Sequence, residues 1–80
     1  MMMTKAEYVE RFAAAMSRWP GGQSFMREGG VPGCRILQTT DMAELAKWFF
    51  DGAFDQWTRT DPEGTVAYMA AEDAAYSPDY

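Results

Sequence analysis

Four side chains in the second half of this chain are spaced so that they could act together: Glu44, Trp48, Asp51 and Asp55 stand at i, i+4, i+7 and i+11. On a helix this spacing makes one stripe, because residues three and four apart share a face. The stripe puts an indole where a surface helix normally carries charge, and surrounds it with carboxylates. Such a ring suits the Arg or Lys of a protein partner: it offers area to bury and a cation–π face, while the acids steer the approach. The alternative is that Trp48 packs under a neighbouring element and the acids are simply solvated. Asp51 and Asp55 repel one another by about 0.2–0.5 kcal/mol, with Lys47 and Arg59 as partial relief.

Other chemistry finds little support in the residue types. Histidine is absent, which removes the usual general base and the commonest metal ligand. One cysteine and no histidine make no zinc set, and no segment alternates oxygen ligands around a glycine as a calcium loop does. Cys34 lacks a base to activate it and reads as a small apolar residue. The glycines of Gly29-Gly30-x-x-Gly33 lack the Lys-Ser/Thr of a phosphate loop and read as a turn. Asp51 with Asp55, or Glu72 with Asp73, could do acid–base work only in a concave site. The expectation is a non-enzymatic protein with no catalytic residue, no metal and no cofactor.

Charge points the same way. Residues 1–40 hold five bases against three acids, a balance of +2, and residues 41–80 hold two bases against nine acids, a balance of −7. An anionic half favours basic partners and repels nucleic acid. Three acids over residues 44–55 spread along about 16 Å of helix. That is too sparse to imitate a DNA strand with a charge every ~3.4 Å. The arginines of the first half are too few and too scattered for a nucleic-acid groove.

The elements that must position the stripe can be read from caps and spacing. Eighty residues is one domain. Six Val, Ile and Leu residues stand against twelve aromatics, seven Met and twelve Ala, so rings must supply much of the core. Thr4-x-x-Glu7 is a capping box opening a helix over 5–18, with Tyr8, Val9, Phe12, Ala13 and Met16 on one face and Pro20 ending it. Glycine-rich turns then bracket a short strand or β-hairpin within 23–38, in which Cys34–Gln38 is the strand.

Asp41-x-x-Glu44 opens a second helix over 41–57, whose Met42, Leu45, Ala46, Phe49, Ala53 and Trp57 would face the core. The stretch around Asp61-Pro62 is open to two readings. It starts a third helix over 61–76, carried by Ala67, Ala70, Ala71, Ala74 and Ala75 at helical spacing, or it turns a second hairpin over 55–70 and makes the fold α+β. The fold expected is mainly α, a single domain over 1–80 with a short polar tail at 77–80.

In size, acidity and want of enzymatic residues, though in no motif, the chain resembles the small acidic inhibitors encoded by phages, of which anti-CRISPR proteins are an example. That resemblance implies a protein that occupies a basic surface of a nucleic-acid-handling complex, here through Glu44, Trp48, Asp51 and Asp55. An accessory subunit that oligomerises through Phe50, Phe54 and Trp57 is the alternative. No apolar run approaches the ~20 residues that span a bilayer, and the start of the chain lacks the apolar stretch of a signal peptide. A cytoplasmic setting is therefore expected.

Overall fold

A computed structural model describes residues 3–27, 40–53 and 55–76, and among them every regular element is helical. The order is α1 Lys5–Arg18, α2 Gly22–Arg27, α3 Met42–Phe50, a 3-10 helix Gln56–Thr60 and α4 Pro62–Tyr76. α1 starts where the capping box places it: Thr4 Oγ1 accepts from the Glu7 amide at 3.1 Å, and Glu7 Oε1 accepts from the Thr4 amide at 2.9 Å. It ends at Arg18, before Trp19 and Pro20.

α1 is the shared wall of the core. Its Tyr8, Phe12, Ala15 and Met16 are buried with Phe25 of α2, Leu45, Ala46 and Phe49 of α3, and Val66 and Met69 of α4. Rings do most of the joining. Phe12 stacks on Phe49 with centroids 6.0 Å apart, and Tyr8 meets Phe50 edge to face at 5.4 Å. Each such pair adds about 0.5–1.5 kcal/mol beyond the area it buries.

The structure corrects the expected hairpin. Residues 22–27 form a helix rather than one arm of a sheet, and no strand occurs among the described residues. The proposed strand Cys34–Gln38 and the polar tail 77–80 lie outside the described residues. The physical reason for α2 is Phe25, which is buried and set against Trp19 with ring centroids 4.8 Å apart. Gly22 lets the turn close: a side chain there would meet the Met16 carbonyl at 2.6 Å.

The second correction concerns the helix expected over 41–57. It begins at its Asp41 cap, whose Oδ1 accepts from the Ala43 and Glu44 amides at 3.0 and 3.2 Å. It stops at Phe50. Gly52 takes φ 73°, its amide donates to the Phe49 carbonyl at 3.2 Å, and the Ala53 amide donates to Trp48 at 3.0 Å. This is a Schellman motif, in which a left-handed glycine closes the helix end. Past it, Thr58 is buried with its hydroxyl 2.6 Å from the Asp55 carbonyl and 2.9 Å from that of Phe49, so the 3-10 helix is fastened under the end of α3.

The alternative hairpin over 55–70 is also overturned, since the 3-10 helix and α4 occupy that stretch. Asp61 caps α4, its Oδ1 accepting from the Gly64 amide at 2.8 Å, and buried Pro62 opens the first turn, where a missing N–H costs nothing. The alanine stripe does form a helix but does not face the core. Ala67, Ala71, Ala74 and Ala75 are exposed, Ala70 is half-buried, and the buried side is Pro62, Thr65, Val66 and Met69.

Candidate partner-binding surface

Glu44 is exposed in the first turn of α3. One turn on, Trp48 is half-buried and packs against the core, so its ring is divided between the two roles the spacing allows. Asp51, the C-terminal cap of α3, stands 3.2 Å from Lys5 Nζ, and that ammonium also lies 5.7 Å from the centroid of the Phe50 ring. Asp55 is exposed but sits beyond the reversal at Gly52, as the residue that opens the 3-10 helix. The fold therefore keeps Glu44, Trp48 and Asp51 on one helix and its cap, and moves Asp55 to another element.

Asp55 is close in sequence to an exposed aromatic. Trp57 follows two residues later and is 40% exposed, as is Tyr68 of α4; these two are the exposed large hydrophobics among the described residues. They meet edge to face with centroids 6.0 Å apart and planes at 83°. The contact holds each ring in place and leaves a face of the pair in water. Around it the charge is mostly negative. Glu72 lies one turn beyond Tyr68, Asp61 caps the same helix, and α4 contains no basic residue. Arg59 is nearby, but its side chain lies against Gly52, where an added Cβ would come within 3.0 Å of the Arg59 Cδ.

Helical spacing alone could not find this pair. The spacing sets Trp57 on the core face of a helix that in fact ends seven residues earlier, and Tyr68 sits within an alanine stripe that marks a helix without marking its outer face. Gly52 at the end of α3 was the available signal, because a chain that reverses there cannot keep Trp57 in register with Phe49. Of the other aromatics considered for an interface, Phe50 is half-buried against Tyr8, and Phe54 lies outside the described residues.

The rest of the surface offers binding geometry rather than reactive groups. Arg11 grips Glu63 through both carboxylate oxygens, at 2.9 Å from Nε and 2.6 Å from Nη2, and this holds the Glu63 carboxyl below its ordinary range. Glu7 is held low by the Thr4 backbone amide in the capping box. Burial pushes the Tyr8 phenol up. A cavity of about 480 Å³ opens between the end of α1, α2 and the start of α3, lined by three thioethers (Met16, Met26, Met42) and by Ser17, Gln23, Arg27 and Thr40. It contains no carboxylate among the described residues. No group of three or more His, Cys, Asp or Glu residues is placed to hold a metal ion, and no helix is long and apolar enough to cross a membrane, again among the described residues. Comparisons with protein-family models, with curated proteins and with solved structures find no significant match.

Proposed function

We infer that this chain is a non-enzymatic protein-binding module that takes hold of a basic protein surface. The observation that carries this reading is the Trp57–Tyr68 pair, fixed edge to face and still 40% exposed, with Asp55 and Glu72 beside it. Interface energy concentrates in buried Trp, Tyr and Arg at the centre of a contact, and a rigid aromatic pair loses little conformational freedom on binding. The fringe acids, with the net charge of −5, favour an Arg- or Lys-rich partner and hasten its approach. Glu44 extends the negative field, Asp51 shares its charge with Lys5, and the half-buried Trp48 is a secondary contact. In size and charge this is the mode of action of small inhibitors that occupy a basic face of a nucleic-acid-handling complex, and we place the chain with that mode.

The reading is tested by affinity capture from cell extract at low and high salt. The bait is compared with Trp57→Ala/Tyr68→Ala and with Asp55→Lys/Glu72→Lys. Basic proteins held at low salt and released by salt and by both variants support it. Capture unchanged by both variants would sink it.

A further inference from the structure

Trp57 and Tyr68 meet as a corner rather than as a flat patch. Their centroids are 6.0 Å apart and their planes stand at 83°, so one ring is set on edge over the face of the other, and each residue is 40% exposed. A group resting at a contact distance of about 3.5–4.0 Å from both faces lies inside the ~6 Å of each centroid within which a ring attracts a cation. Such a group meets two π faces at once.

The charge beside the corner is negative. Glu72 is half-buried four positions after Tyr68 on α4, and helical side chains lean back toward the preceding turn, where such a pair is adjacent. Asp55 is exposed two positions before Trp57, and α4 contains no Lys or Arg. Glu63 is held by Arg11 and the Asp61 carboxylate caps α4, which leaves Glu72 and Asp55 to answer a cation. Arg59, the base nearest to Trp57 in sequence, runs along Gly52 instead, its Cδ 3.0 Å from where a Cβ would stand. The molecule already seats a cation between a ring and a carboxylate. Lys5 Nζ lies 5.7 Å from the Phe50 centroid and 3.2 Å from Asp51.

An exposed corner favours the cation that gives up least water on entering it. A guanidinium is more weakly hydrated than an ammonium, and its flat fork can stack on one ring while its edge donates to a carboxylate. We propose that the corner between Trp57 and Tyr68 is a seat for an arginine side chain of a protein partner, held by the two rings and by the Glu72 carboxylate. The proposal rests on the reading of a basic partner given above and names the side chain that partner presents, Arg in preference to Lys.

The test is a titration of the isotope-labelled full chain with the capped tripeptides Gly-Arg-Gly, Gly-Lys-Gly and Gly-citrulline-Gly, each up to about 100 mM at constant ionic strength. Citrulline keeps the shape of Arg and removes its charge. The Arg tripeptide is expected to shift the Trp57 indole N–H and the Tyr68 ring resonances. The Lys tripeptide should bind at least about threefold more weakly, the scale of an exposed cation–π contact, and the citrulline tripeptide should leave both rings unmoved. Tyr68→Phe keeps the π face and should bind the Arg tripeptide as the parent does. Tyr68→Leu keeps apolar bulk without that face, and it and Glu72→Gln should each weaken binding by at least about threefold; the amide spectra report that each variant is folded. Equal binding of the Lys tripeptide overturns the guanidinium seat while leaving the basic-partner reading in place. Equal binding of the citrulline tripeptide overturns both. Absence of shifts at the two rings overturns the seat, as does unchanged binding in Tyr68→Leu or Glu72→Gln, and salt-dependent capture from extract then judges the basic-partner reading by itself.

Discussion

The Tyr8 hydroxyl meets Thr65 Oγ1 at 3.3 Å in the interior, across 57 positions of sequence. Thr65 gives its own hydrogen to the Asp61 carbonyl at 2.7 Å, so two hydrogen bonds in series tie α1 to the first turn of α4. Removing the donor is milder than removing the acceptor. Tyr8→Phe is expected to cost about 0.5–1.5 kcal/mol, and Thr65→Val about 1–3 kcal/mol because it strands a buried phenol. Urea unfolding followed by circular dichroism measures both, and the reverse order would contradict this arrangement of donor and acceptor.

The same phenol sets an alkaline limit. Its folded pKa is raised above the ordinary 10.0, first by burial, so the folded state keeps a proton that the unfolded state gives up. The stability this represents is fully present below 10.0 and is lost as pH rises through the folded value. Melting temperature should therefore fall above 10.0 in the parent chain and fall less in Tyr8→Phe.

At the acid end the sign reverses. Glu63, beside Arg11, and Glu7, in the capping box, both have folded pKa values below the ordinary 4.5. Their contribution is in place above 4.5 and lost as pH falls through the depressed values. Glu63→Gln should flatten the acid limb of a plot of melting temperature against pH. Because Arg11 and Glu63 remain half exposed, the effect is modest and shrinks in salt.

Gly52→Ala is expected to destabilise by about 1–2 kcal/mol through the left-handed backbone alone. A methyl group there also presses on the Arg59 Cδ at 3.0 Å. Arg59→Ala should relieve that second part and leave the first, which a double-mutant cycle in urea separates.

The two tryptophans of this region should part company. Trp48 packs against the core, so Trp48→Ala should cost about 2 kcal/mol, short of the value for a fully buried ring. Trp57→Ala should cost less than about 1 kcal/mol while removing partner capture. Thermal melts of the two variants decide between these placements, and equal losses would argue that Trp57 is structural.

Where chemistry at a helix start is local, the sequence was legible. Thr4 with Glu7, Asp41 and Asp61 with Pro62 each open the helix expected of them, and α1 ends where Trp19 and Pro20 put its end. The end of α3 was not, because periodicity carried Ala53 and Trp57 past a glycine whose effect depends on the sign of one dihedral angle. α2 was hidden by its six residues, too short for a pattern, and held by a ring contact with Trp19. Alanine revealed that α4 is a helix but not which way it faces, since a methyl group is at home on either side. Of the expected contact residues, Asp55 stands two positions from Trp57, which the spacing sets on the core side.

Two ion pairs, Lys5 with Asp51 and Arg11 with Glu63, join the basic first half of the chain to the acidic second. In effect α1 is a tethered ligand of its own protein, because the covalent chain makes its docking an intramolecular event. An outside helix cannot compete for the surface under α1 on equal terms. Selection among partners therefore falls to surfaces that α1 leaves open.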